Sequence, residues 1–392
     1  MSTSRRSTPA SPPAAAKAKS GTAPRKPVRR KSPGAAPPSP LAIDLALQGG
    51  GSHGAFTWGV LDRLLDDDGI VPAAVSGTSA GALNAAVMAT GWAEGGRAGA
   101  QVALRNFWMD VASAQSPYGG CFGAWAAPAW APPAQGLAAF NLEANPFYAW
   151  GQHFLRAFSP YQFNPGGTNP LRVVLERHVR PQHLKSGPLA LFITATAVRS
   201  GQPRVFDRHD LSIDALLASA CLPQIFRAVE IDGEPYWDGG YSGNPALWPL
   251  VYHSDALDIL LVKINPLHRP GTPDTPEEIA DRVNEITFNA GLVGELRAIA
   301  FVQRLLQEGR VDPGDYKNLR LHMVADDAGL APLHASSKLN TERAFLEALH
   351  VLGRSACERW LAEHRADLGR RSSLDIRADF LRPHPGAKAG PA

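Results

Sequence analysis

Hydrophobic residues begin the foldable part of the chain as a short apolar run at 41–47, interrupted only by Asp44, become helically spaced from Phe56 to Leu65, and return as an apolar run at 70–75. Short unbroken apolar runs are typical of buried strands, whereas three- and four-residue spacing is typical of a helix packed on one face. The order strand, helix, strand predicts a crossover that returns the second strand parallel to the first.

The same pattern continues downstream. The stretches "LALFITATAV" at 189–198 and "DILLVKI" at 258–264 predict further buried strands, and residues 276–307 predict one long helix. Near-continuous apolar strands are typical of sheets covered on both faces. We therefore expect an α/β fold with a mainly parallel sheet sandwiched between helices.

A glycine cluster, "GGGSHG" at 49–54, joins the first strand to its helix. Gly49, Gly50 and Gly51 allow the backbone to turn several N–H groups toward one point, which predicts an anion site. The anion is either a phosphate or the oxyanion of an acyl-transfer intermediate. The cluster lacks the Lys-Ser/Thr pair of a P-loop. The G-x-G-x-x-G spacing of a dinucleotide fold holds at Gly49, Gly51 and Gly54, but no acidic residue stands at a strand end about 20 residues on.

The second strand leads into "GTSAG", in which Ser79 stands between Gly77 and Gly81. One interpretation is a small residue in a tight turn, and the other is a nucleophile on a strand-to-helix elbow. Two parallel strands end at the same edge of a sheet, so the elbow and the glycine loop are expected to be neighbours. That pairing favours Ser79 as the nucleophile.

A serine nucleophile needs a base, and the stretch "EIDGEPYWDGGYSGNPA" offers Asp238 before two glycines, after a hairpin signal at Asp232-Gly233. The alternative for Asp238 is an Asx-turn. The chain also holds 12 histidines. If the site is a conventional triad, the candidates near the glycine loop or strand ends are His53, His209, His322 and His334.

The motifs "GGGSHG", "GTSAG" and "DGG", in this order, resemble those of the patatin-like phospholipases, as do "ASACLPQIF" at 218–226 and "GNPAL". The resemblance covers roughly residues 41–325. It implies a three-layer patatin-like fold and a Ser79–Asp238 dyad without a catalytic histidine. It further implies oxyanion donors at Gly49, Gly50 and Gly51, an acyl-Ser79 intermediate, and cleavage of lipid acyl esters of the phospholipase A type with no cofactor or metal. The family often carries a basic residue where this chain has His53, which we expect to face solvent.

Three other functions use the same features. The dyad could pass its acyl group to an alcohol, as an acyltransferase, or cleave a thioester or polyester. Alternatively, the chain is a non-catalytic scaffold whose basic arm binds a polyanion. The presence of both Ser79 and Asp238 argues against the scaffold.

Residues 107–163 hold 14 of the 31 aromatic residues of the chain, among runs of Ala, Pro and Gly. An aromatic stretch interrupted by prolines is unlike a central strand of a sheet. It therefore predicts a cap insertion over the edge of the sheet where Ser79 and the glycine loop are expected. The cap would be a wall for acyl chains. Its alternative is a packed subdomain without ligand contact.

Residues 1–40 hold nine Lys or Arg, nine prolines and no acidic residue, which predicts a disordered basic arm. The whole chain has a formal charge of +3, so the other 352 residues carry −6. The arm's charge fits an anionic membrane and, less well, nucleic acid, and a solvated tail without a partner is the alternative. We expect one acyl hydrolase domain at 41–382 and a loose end at 383–392.

Neither a secretory signal nor a run of about 18 apolar residues is found. A cytoplasmic protein, peripheral at a membrane if the arm binds one, is therefore expected. An acid-free leader of this kind also fits an organelle transit peptide. The three cysteines are far apart and indicate neither a disulfide framework nor a zinc site.

Overall fold

The computed structural model describes residues 40–113, 136–143, 148, 150–151, 154, 157–269 and 271–382. Residues 1–39 of the predicted arm, residues 114–135 of the predicted cap and the predicted end at 383–392 lie outside the described residues. The arm, the cap as a unit and the domain boundaries therefore stay predictions.

The strands of the described residues form one eight-stranded sheet in the order β5-β6-β3-β2-β1-β7-β8, with β4 also paired to β3. Their bounds are β1 Leu41–Leu47, β2 Ile70–Thr78, β3 Ala190–Ala197, β4 Pro203–Phe206, β5 Val229–Ile231, β6 Glu234–Asp238, β7 Asp258–Val262 and β8 Arg320–Val324. Five consecutive strands of this order, β3, β2, β1, β7 and β8, pair in parallel. The pairings of β3 with β4 and β6, and of β5 with β6, are antiparallel.

Helices cover both faces of this sheet. The α-helices of the described residues are α1 Gly54–Leu64, α2 Ala80–Ser113, α3 Pro160–Phe163, α4 Pro170–His178, α5 Pro181–Ser186, α6 Ile213–Ser219, α7 Trp248–His253, α8 Pro276–Gln307, α9 Asp327–Leu330 and α10 Arg343–His364. Helix α2 changes direction at Gly95 and Gly96, where the backbone leaves helical geometry. Short 3₁₀ turns lie at Gly51–His53, Gly136–Phe140, Gly239–Tyr241, Ala335–Leu339 and Arg365–Asp367, and a π-helical turn lies at Arg377–Leu381.

Two hydrophobic cores lie on the two faces, because successive residues of a strand point to opposite sides. Leu45 and Leu47 of β1 join a core with α1, α2 and α10, whereas Ala46 between them joins a core with α7 and α8. The predicted α/β class, a mostly parallel sheet sandwiched between helices, is confirmed. The predicted strand at 41–47 and the predicted helix at 276–307 have the bounds given by their patterns.

The strand registers bring the predicted site residues to one edge. Parallel pairing of β1 with β2 sets Leu47 opposite Gly77, so the glycine loop and the elbow leave the sheet side by side. Thr78 pairs with Thr194 on β3, and Ala195 on β3 pairs with Asp238 on β6. Ser79 and Asp238 therefore lie at neighbouring levels on either side of β3.

Candidate active site

Ser79 occupies the turn between β2 and α2 in the left-handed backbone region, with φ of +52°. For a residue other than glycine this conformation costs roughly 1–2 kcal/mol, and it persists because its surroundings hold it. The Ser79 N–H donates to Ser219 Oγ at 2.9 Å, and Ser219 Oγ donates to the Thr194 carbonyl at 2.6 Å. A Cβ on Gly81 would lie 2.2 Å from the Leu47 carbonyl oxygen, so the turn has no room there for a larger residue.

The glycine loop packs directly on this elbow. A Cβ on Gly49 would lie 2.5 Å from the Ser79 Cβ. The Gly49 N–H donates to Asn244 Oδ1 at 2.6 Å and is therefore engaged. Gly50 and Gly51 line the cavity beside Ser79, and neither of their N–H groups is paired with another described residue. The N–H groups that the loop presents without a partner among the described residues are thus those of Gly50 and Gly51, whereas the Gly49 N–H is engaged.

A buried amide side chain, Gln48, anchors the loop from behind. Its Oε1 accepts the N–H groups of Ile264 and Asn265, each at 2.9 Å, and its Nε2 donates to Asn289 Oδ1 at 3.3 Å. Asn265 Nδ2 in turn donates to the Gly49 carbonyl at 2.7 Å. Because every one of these groups is buried, the loop conformation is tied to the segment that follows β7.

Asp238 is fully buried at the end of β6. Its Oδ1 accepts the Gly240 N–H at 2.8 Å, which is the Asx-turn that its sequence allowed. Its Oδ2 has no hydrogen bond of full geometry among the described residues, although the Ser79 hydroxyl is close enough to lower the pKa of this carboxyl. Burial dominates and raises the pKa of Asp238 to about 7. One oxygen thus shapes the turn while the other is left for proton transfer.

Lys338, which no sequence motif marked, is the cationic side chain of the cavity lining. Its Nζ donates to Asn265 Oδ1 at 3.0 Å and lies 5.9 Å from the centre of the Phe288 ring. Burial lowers the pKa of Lys338, while the carboxylates of Glu285, Asp281 and Asp238 raise it. The lysine charge in turn lowers the pKa of Asp238.

His53 is buried, and the expectation that it faces solvent is wrong. Its Nε2 lies 2.7 Å from Ser337 Oγ, and burial, with the charges of Lys338 and Arg269, holds its pKa well below the usual value. Helix α1, which follows the glycine loop, packs against α10. The sequence patterns did not predict α10, and its packing covers the His53 ring beside Phe345.

None of the other three triad candidates lines the cavity beside Ser79. His209 is exposed, and His334 pairs with Glu143 at 3.4 Å on the partly exposed surface. His322 is buried between Asp258 and Ser373. No histidine of the described residues lines the cavity that contains Ser79 and Asp238.

That cavity has a volume of about 660 Å³, which is the size of an ordinary ligand pocket. Most of its wall is hydrophobic, and it includes Phe107, Trp108 and Val111 at the start of the predicted cap. Helices α4 and α8 supply the side walls, and the segment after α6 supplies Leu222, Ile225 and Phe226. A long apolar chain fits such a lining.

Comparison with known proteins agrees with this arrangement. The model of the patatin-like phospholipase family matches residues 45–251. The chain belongs to the patatin-like phospholipase family. Members of this family are lipid acyl hydrolases, and the matched residues contain the glycine loop, the elbow and Asp238.

The solved structures to which this patatin-like chain is similar include two proteins at low identity. VipD from Legionella pneumophila is 14% identical, with a TM-score of 0.36 over 87% of this chain and 73% of that chain. The type III effector protein ExoU is 17% identical, with a TM-score of 0.25 over 85% of this chain and 60% of that chain. No curated protein matches the chain.

The sequence patterns marked the residues that are expected to react. They did not mark the residues that support the patatin-like site. Asn244 and Ser219 lie within stretches that resemble the family, but nothing local indicates their partners. Gln48, Asn265 and Lys338 carry no motif at all. Gln48 and Asn265 share one sequence signal, because each is a polar residue directly after a predicted apolar strand. Lys338 does not share it.

Proposed function

We propose that this patatin-like protein hydrolyses acyl esters of lipids, with Ser79 as nucleophile and Asp238 as general base. The observation that carries the proposal is the meeting of three groups in one largely apolar cavity. They are a serine in a strained elbow, a buried carboxylate with one unpaired oxygen, and free N–H groups of the glycine loop. Nucleophile, base and oxyanion donors are the parts that acyl transfer requires.

The reaction then follows from these positions. Ser79 Oγ attacks the ester carbonyl carbon as its proton passes to Asp238, and the oxyanion is stabilised by the N–H groups of Gly50 and Gly51. The bond to the alcohol breaks, and the alcohol leaves with the proton from Asp238, so that acyl-Ser79 remains. A water molecule repeats the sequence: its proton goes to Asp238, its oxygen attacks the acyl carbon, and Ser79 recovers the proton as the free acid leaves.

The chemistry at these positions is adequate for catalysis. Each oxyanion donor contributes roughly 3 kcal/mol, and a positioned base contributes about 10²–10⁴ in rate. A carboxylate is a weaker base than imidazole in water, but burial raises the pKa of Asp238 to about 7, near that of an unperturbed histidine. The proposed dyad therefore needs no histidine.

The first prediction concerns Ser79 itself. A fluorophosphonate probe should label Ser79, and Ser79→Ala should abolish both labelling and ester hydrolysis with an unchanged melting temperature, because the methyl group adds no bulk. The matched control is Ser113→Ala at the exposed end of α2, which should keep both. Release of free fatty acid, without transfer to an added alcohol, would mark a hydrolase rather than an acyltransferase. Labelling at another residue, or an active Ser79→Ala variant, contradicts the proposal.

A further inference from the structure

Helix α8 carries hydrophobic side chains on the face that points away from the sheet. Ile279, Val283 and Ile286 are 47%, 58% and 54% exposed, and their spacing of four and three residues places them on one stripe. The opposite side of the helix is buried at Phe288 and Leu292. A helix at a protein surface ordinarily turns polar residues outward, so this α8 stripe requires a reason.

The α8 stripe is continuous with the wall of the cavity. Val283 is both exposed and part of the cavity lining, and Ala280, Asn284 and Thr287 on the adjoining side of the helix line the cavity as well. The nearby charge of Arg282 is directed elsewhere, to Glu285 and the Leu267 carbonyl. The side chains of the stripe therefore form an apolar lip of the cavity mouth.

The opposite wall of the cavity shows a similar feature. Helix α4 contributes Leu171 and Val174 to the lining, and Val173 beside them is 51% exposed. Exposed aliphatic residues thus occur on two of the helices that enclose the cavity. Val173 is not itself part of the cavity lining, so the link between exposed apolar surface and the entrance is made by Val283 on α8.

The position of the stripe indicates what covers it. A second copy of the chain seated there would obstruct the entrance, and three side chains offer far less area than the roughly 800 Å² per partner of a stable interface. A lipid surface needs only a few apolar side chains at the acyl boundary, and it brings substrate to the entrance. We propose that the α8 stripe docks on a lipid surface, so that an acyl chain passes from the membrane into the cavity along Val283.

This inference rests on the proposed function for its substrate, but its test measures binding alone. The full chain with Ser79→Ala, which leaves vesicles intact, is sedimented with vesicles of phosphatidylcholine and phosphatidylglycerol. Ile279→Gln with Ile286→Gln should weaken binding by about tenfold or more, at low and at high salt, because the substitutions remove apolar contact without adding charge. Neither residue lines the cavity. The matched control is Val351→Gln on α10, where the side chain is 62% exposed and should have no effect.

Several results would overturn the inference. They are equal vesicle binding by the double variant and the control, absence of vesicle binding by the full chain, or a dimer that the double variant converts to a monomer. With Ser79 restored, the double variant should hydrolyse a short soluble ester at the parent rate. If parent and double variant both fail to hydrolyse the soluble ester, the proposed function is refuted. The vesicle-binding result then decides by itself whether the α8 stripe docks on a lipid surface.

Discussion

The two carboxylate oxygens of Asp238 have different surroundings. Its Oδ1 closes the turn with the Gly240 N–H, and its Oδ2 remains unpaired in a fully buried position. The cost of burying a charge raises the pKa of Asp238 to about 7. In the proposed reaction Asp238 must be ionised to accept the Ser79 proton, so this pKa would govern the rate at acidic pH.

We therefore predict that kcat/KM rises with pH and levels off above a midpoint near 7. Asp238→Asn keeps the shape of the side chain but cannot accept the proton, so it should lower the rate by about 10²–10⁴. His334→Ala and His53→Gln serve as controls and should lower it far less. A histidine variant as inactive as Asp238→Asn would show a triad instead of the dyad.

Lys338 provides a second prediction at this scale, because its positive charge lowers the pKa of Asp238. Lys338→Met should raise that pKa and move the midpoint of the acidic limb to higher pH, whereas Lys338→Arg should leave it nearly in place. Other charges face Lys338, namely Arg269, Glu285 and Asp281, and burial raises the pKa of Asp281 to about 6. Asp281→Asn tests whether that carboxyl produces the limb. A midpoint unchanged in Lys338→Met is the contrary result.

At the scale of elements, one side chain, that of Gln48, connects the glycine loop after β1 to the segment that follows β7. Gln48 follows β1, and its amide binds Ile264 and Asn265 after β7, together with Asn289 on α8. Parallel neighbours end at the same sheet edge, so a single amide can bridge both segments. The loop is thereby rigid before any substrate arrives, which is what electrostatic stabilisation of an oxyanion requires.

Gln48→Leu should show the size of this contribution. The substitution leaves two buried N–H groups unpaired, so we predict a loss of about 2–4 kcal/mol in the free energy of unfolding, measured by urea denaturation. Gln202→Leu at an exposed position is the matched control and should change stability by less than about 0.5 kcal/mol. Equal stability of the two variants would show that the network is dispensable.

At the scale of the whole molecule, charge is distributed unevenly along the chain. The first 40 residues carry nine positive charges, while the remainder is negative in sum. No helix in the described part of the chain is long and apolar enough to span a bilayer. We propose that the arm attracts the protein to anionic lipid, where the α8 stripe makes the apolar contact.

Deletion of residues 1–40 should therefore weaken binding to anionic vesicles at low salt, and the difference should shrink as salt shortens the screening length. Hydrolysis of a short soluble ester should be unchanged. The salt dependence separates the arm from the α8 stripe, whose contribution persists at high salt. If the truncated and full chains bind alike at low salt, the arm is a solvated tail.

Local patterns in the sequence were sufficient for most strands of the sheet and its first crossover, and they marked the residues that we propose react. Apolar runs located β1, β3 and β7, the Asp232-Gly233 signal located the hairpin of β5 and β6, and the glycines around Ser79 marked the elbow. These features are predictable because they depend on neighbours in the chain: strand burial, turn conformation and steric crowding. The elements that were not predicted include β4 and β8, which have no unbroken apolar run, and helix α10.

Only the tertiary structure decided which groups support and surround those residues. The Gly49 N–H meets Asn244 across 195 positions of sequence, His53 meets Ser337 across 284, and Lys338 reaches Asn265 across 73. A hydrophobic pattern shows that a face is buried but not which element buries it. Such partners follow from strand order and helix packing, so only the tertiary structure shows that His53 is buried rather than solvent-facing and that the Gly49 N–H donates to Asn244.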